Sequence, residues 1–208
     1  MPAVAPKKSN SDARGDLRRS QILEAAYKVF SEKGYREATV ADIATELRMG
    51  HGTFYRYFEN KHDIFKQVLT ATLLRVSKAI ASEDPQAANS LAEYRAQVER
   101  IGGNMLELLD TDRAVPRLLF YQAVGVSPEL DERIQRMWEL AGTVTEAYLT
   151  NGKVKGFLRA DLDTRVTALA INALIFEAGK RVLRAKDPAR AKKRWLKGLV
   201  DMIFSGIA

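Results

Sequence analysis

Apolar residues recur along this chain at intervals of three and four, and nowhere do they alternate long enough to make a strand. From Asp16 onward, Ile22, Ala25, Ala26, Val29 and Phe30 mark one face of a helix that Gly34 stops. A second helix follows, with Val40, Ile43, Ala44 and Leu47 at helical spacing and Thr39 as its N-cap. The run RMGHG, Arg48–Gly52, breaks it, because two glycines within three residues disfavour a helix. In the next stretch, TFYRYFENK (Thr53–Lys61), Phe54 and Phe58 stand at i and i+4 on one face while Tyr55 and Arg56 project elsewhere. A longer helix then runs to about Ala81.

The second part of the chain continues the pattern after a turn-rich loop, Ser82–Asn89. Leu91, Tyr94, Val98, Ile101, Met105 and Leu108 form an amphipathic stripe, interrupted by Gly102 and Gly103. Each glycine costs up to about 1 kcal/mol relative to alanine inside a helix, so a neighbouring helix or a ligand must need the space. A short helix is expected around Pro116–Val124, and a longer one from Pro128 carrying Leu130, Ile134, Met137, Ala141, Val144 and Tyr148 on one face. Asn151–Asp163 reads as a connection. The helix from Thr164 to about Ala185 is apolar nearly all round, as a helix buried on two sides would be, and Asp187–Pro188 starts the last one. The sum is an all-α chain of about nine helices. Its expected parts are a flexible N-terminal arm (1–15), a three-helix domain (16–62) and a C-terminal helical domain (63–208).

Composition narrows the chemistry. The 208 residues are 46% hydrophobic and 28% charged, an ordinary globular balance. With no cysteine and only His51 and His62, neither disulfides nor a zinc site is expected, and no cofactor is. No apolar run reaches the roughly 18–20 residues that span a bilayer, and the N-terminus lacks the apolar centre of a secretory signal, so a cytoplasmic protein without a membrane partner is expected. The net charge of +7 is concentrated: eight cations against one anion between Arg181 and Lys197 account for all of it. A smaller basic excess lies in Lys7–Arg19. The overall charge therefore does not locate a DNA-binding face.

Location comes from the helix-turn-helix that the second and third short helices make. Such a unit needs a small residue where its helices cross, supplied by Ala44, and sterically modest polar residues where the second helix meets base edges. The segment AAYKVFSEKGYREATVADIATELRMGHGTFYRYFENKHDIFKQVL, beginning at Ala25, resembles the DNA-binding signature of the TetR family of bacterial transcriptional regulators. That resemblance implies roles position by position. Thr39 matches a phosphate-touching position. Gly50, His51, Gly52 and Thr53 match the turn and the start of the recognition helix. Tyr55, Arg56 and Tyr57 match positions meeting bases or phosphates, and Lys61 a phosphate-anchoring lysine. Phe54 and Phe58 match core positions, and Arg18 and Arg19 are placed to reach the neighbouring backbone or the minor groove. Two residues depart from the pattern, Arg48 where glycine is frequent and Gly50 where serine is frequent; Arg48 adds a cation on the DNA side.

The family also implies a dimer through the last two helices and a small-molecule effector, with double-stranded operator DNA as the main partner. Candidate effector-lining residues are Met105, Phe120, Tyr121, Met137, Trp138, Asn172 and Phe176, a mostly apolar set that points to a hydrophobic molecule. The expected function is a repressor released from a near-palindromic operator by that effector. An architectural DNA binder using Arg181–Lys197 is the alternative; an enzyme is not expected, since the chain has no cysteine, only two histidines, both in the expected DNA-binding region, and no glycine-rich phosphate loop.

Overall fold

Nine α-helices and one π-helical turn make up a computed structural model of the protein, which describes residues 10–207; no strand occurs among the described residues. They divide into two compact units, 1–70 and 71–208. Lys7 and Lys8 of the expected basic arm lie outside the described residues.

The first unit contains α1 (Asn10–Glu37), α2 (Val40–Glu46), α3 (His51–Tyr55) and the first half of α4 (Lys61–Ile80). Gly34 takes φ 82° and ψ 163°, which breaks α1 where the sequence has its glycine. Ile22, Ala26 and Phe30 of α1 are fully buried, together with Ile43, Phe54, Ile64 and Phe65. Phe65 meets the Phe30 ring edge-on at 4.9 Å and the Tyr35 ring at 4.5 Å, so aromatic contacts tie α1 to α4.

The second unit holds α5 (Leu91–Thr111), α6 (Ala114–Arg117) running into the π-turn Leu118–Gln122, α7 (Pro128–Val154), α8 (Thr164–Arg184) and α9 (Pro188–Ile207). Ser90, Ser127 and Asp163 cap α5, α7 and α8 by accepting backbone N–H groups. The glycine gap in α5 is a helix crossing: a Cβ on Gly102 would come within 2.9 Å of Leu196 Cδ1 on α9. The expected connection Asn151–Asp163 begins later than its composition suggests. α7 continues through Val154, because Phe157 and Leu158 fold back over Gly152 where a side chain would collide with them. The Ser82–Asn89 loop is strapped down by side chains of the unit: Tyr148 Oη donates to the Glu83 carbonyl at 2.6 Å, Gln97 Nε2 to Asp84 at 2.9 Å and Asn151 Nδ2 to Ala88 at 2.9 Å. Arg100 adds a two-pronged pair to Glu83, both contacts at 2.7 Å.

Candidate nucleic-acid interface and effector cavity

α2 starts with a complete capping box. Thr39 Oγ1 accepts from Asp42 N–H at 3.1 Å, and Asp42 Oδ2 accepts from Thr39 N–H at 2.9 Å. Lys33 Nζ pairs with the other Asp42 oxygen at 2.6 Å. That hydrogen bond, with the Thr39 donors behind it, holds the Asp42 carboxyl at about 2. The Thr39 hydroxyl is thus turned to Asp42, at 2.9 Å.

The turn after α2 contains Arg48 at φ 50°, the left-handed region that favours glycine. Gly50 then caps α3 with no side-chain hydrogen bond, and nothing lies within 4 Å of where its Cβ would be. α3 is a short helix pinned from beneath. Phe54 and Phe58 are buried with ring centroids 5.7 Å apart, and the Arg19 guanidinium lies 5.0 Å over the Phe58 ring. On the other side His51, Gly52, Tyr55 and Arg56 are exposed, Tyr55 to 58%; Thr53 and Tyr57 are half-buried. Arg48 and Thr39 are also exposed. The face is therefore two cations, two tyrosines and a histidine around a helix start, the mixture that touches phosphates and base edges.

Lys61, expected as a phosphate anchor, is engaged within the protein. Its ammonium donates to the carbonyls of Tyr35 at 2.8 Å, Arg36 at 3.2 Å and Ala38 at 2.9 Å, and sits 4.6 Å from the Tyr35 ring centroid. An ammonium has three donors, and here all three close the C-terminal end of α1.

The second unit contains a narrow cavity of about 70 Å³ between α5, α7, α8 and α9. Its wall is apolar except for Tyr94, Thr145, Tyr148 and Asn172, and it includes no Lys, Arg, His, Asp or Glu. Of the residues expected to line an effector site, Met105, Asn172 and Phe176 are in the wall. Met137 and Trp138 are not; Trp138 instead meets Phe176 edge-on from behind, at 3.7 Å between centroids. Tyr121 is 43% exposed and accepts a hydrogen bond from Arg184 at 2.6 Å. Phe120 belongs to the π-turn, and its side chain lies outside what the structure describes.

Residues 22–68, which hold the capping box, the turn and α3, match the family described as bacterial regulatory proteins, tetR family. This segment is of the TetR family. It is 29% identical over 168 residues to the HTH-type transcriptional regulator YhgD of Bacillus subtilis, covering 79% of this chain and 85% of that protein. It is 26% identical over 161 residues to the fatty acid metabolism regulator protein of the same organism, covering 76% and 79% respectively. In fold it resembles the transcriptional regulator FadR from B. subtilis, crystallised with stearoyl-CoA, with a TM-score of 0.75 at 22% identity over 91% of this chain and 99% of that one. The related proteins are named as transcriptional regulators, not as enzymes. Among the described residues, no helix is long and apolar enough to cross a membrane.

Sequence reasoning missed most of the cavity wall. Ile101, Leu196, Val200 and Ile203 have the periodicity of ordinary core residues, and only the crossing of α5 with α9 leaves space beside them. The glycine pair in α5 was the available signal, since Gly102 both permits that crossing and lines the cavity.

Proposed function

We propose that this TetR-family regulator is a dimeric repressor, released from a near-palindromic operator by a small, mostly apolar effector held in the second unit. What carries the reading is the α3 face: Tyr55, Arg56 and His51 exposed on a helix whose opposite side is anchored by Phe54 and Phe58. In a two-fold dimer such helices enter successive major grooves about 34–36 Å apart. An apolar cavity in the second unit, and likeness to a fatty acid metabolism regulator and to a FadR seen with stearoyl-CoA, support an effector with a long apolar part. Effector and operator then favour different states, and their coupling is reciprocal, typically about 1–3 kcal/mol.

Dimerisation through α8 and α9 is supported by Val166 and Leu169 on α8 and Met202 on α9, apolar and exposed to 61%, 39% and 51%. The site of action is the cytoplasm, with the DNA. The architectural reading has less to stand on, because Arg181, Lys192 and Lys197 are paired with Glu177, Glu107 and Asp201.

The test is selection of bound sites from random duplex DNA, followed by affinity measurement with Tyr55→Ala. The wild type should enrich a two-fold site, and the variant should bind it at least about tenfold more weakly while remaining a dimer. Enrichment of no site, or equal affinity in the variant, overturns the assigned face.

A further inference from the structure

We propose that Asn172 is a polar reading point inside the apolar cavity, donating to a neutral acceptor oxygen of carbonyl type on an otherwise apolar effector. This rests on the cavity being the effector site. Asn172 is 6% exposed and lines the cavity from α8. Its Oδ1 accepts the Thr145 hydroxyl at 2.9 Å, which fixes the amide, while its Nδ2 is buried with no hydrogen-bond partner. A buried amide N–H₂ left unpaired costs the fold stability, and native proteins carry few such groups. A ligand that supplies the missing acceptor removes that cost, so the site gains selectivity from it.

The neighbouring polar groups narrow the acceptor further. The Tyr148 hydroxyl is spent on the Glu83 carbonyl and the Thr145 hydroxyl on Asn172 itself. No cation lines the wall, so a buried carboxylate would have nothing to neutralise it. The complementary chemistry is therefore a ketone, ester, thioester or amide oxygen rather than an ionised acid. A water held by Nδ2 is the competing occupant, and the cavity has room for one.

The experiment titrates the full-length protein with n-octane, octan-2-one, octan-3-one, octan-4-one and octanoate, using calorimetry, and repeats the series with Asn172→Leu. Both n-octane and at least one octanone should bind the wild type, and octanoate should bind more weakly than that octanone. In Asn172→Leu the octanone-to-octane affinity ratio should move about tenfold against the ketone, with octane binding retained. Thr145→Val, which removes only the hydroxyl orienting the amide, should move the ratio the same way by less, and serves if the leucine variant does not fold. An unchanged ratio in the folded variant overturns the reading point alone and leaves the apolar cavity standing. Octanoate binding tighter than every octanone overturns it too. Failure of octane and all octanones to bind the wild type overturns the effector cavity with it. DNA binding does not enter this readout, so a failure of the operator assignment is separable.

Discussion

Arg48 holds a conformation that costs an L-amino acid free energy, at φ 50° in the turn before α3. The left-handed region is disfavoured by roughly 1–2 kcal/mol for a residue with a Cβ. A cation kept there, exposed and next to the proposed DNA face, trades stability for charge. Arg48→Gly should raise the unfolding free energy by about 1 kcal/mol in urea titration. The same variant should bind operator several-fold more weakly and with a shallower salt dependence, since one phosphate contact is lost. Unchanged affinity and salt slope would remove Arg48 from the contact set. The position was visible in the sequence as a departure from the family pattern, but its backbone angle was not.

Among the elements, the end of α1 shows how one side chain from a distant helix can satisfy a helix terminus. The carbonyls of Tyr35 and Arg36 in its last turn, and of Ala38 just beyond it, are closed by Lys61 from α4 rather than by a residue of α1 itself. Lys61→Met keeps the length of the stem and removes the charge, so the carbonyls lose their donors; the first unit should be destabilised by about 1–3 kcal/mol. If urea unfolding of the variant matched wild type while operator affinity fell, the lysine would belong to the DNA contact and not to the cap. Local signals were enough for much of this unit: Thr39 as N-cap, Gly34 as stop, Phe54 and Phe58 as the buried pair all follow from spacing and residue type. The Lys61 cap was hidden because it joins residues 23 to 26 positions apart in the chain, beyond any helical repeat. In the second unit the helices were legible from their stripes, whereas Met137, Trp138 and Tyr121 could not be sorted from Met105 and Phe176. All are large apolar or aromatic residues at helical spacing, and only the way α5 crosses α9 decides which of them border the space.

For the molecule as a whole, two copies are needed to present two α3 helices to one duplex. The face of α8 that carries Val166 and Leu169 is apolar and exposed, and burying it against a second copy is favourable at about 25 cal/mol per Å². The double replacement Val166→Glu and Leu169→Glu should yield a folded monomer in sedimentation, and operator affinity should fall by at least about a hundredfold because the two half-sites no longer act together. A dimer surviving those two charges would place the interface elsewhere.

The size of the cavity has a kinetic consequence. About 70 Å³ is far below the roughly 300–1,000 Å³ of pockets that enclose drug-sized molecules. On the proposed function, a long-chain effector needs more room than this space gives, so α5, α7, α8 and α9 are expected to part before it is held. Stopped-flow binding of a long-chain probe should show an observed rate that levels off as probe concentration rises, at the frequency of spontaneous opening. A rate climbing linearly to diffusion-limited values would mean the space is already open. On this account the delay between the arrival of the signal molecule and its capture is set by how often the four helices part.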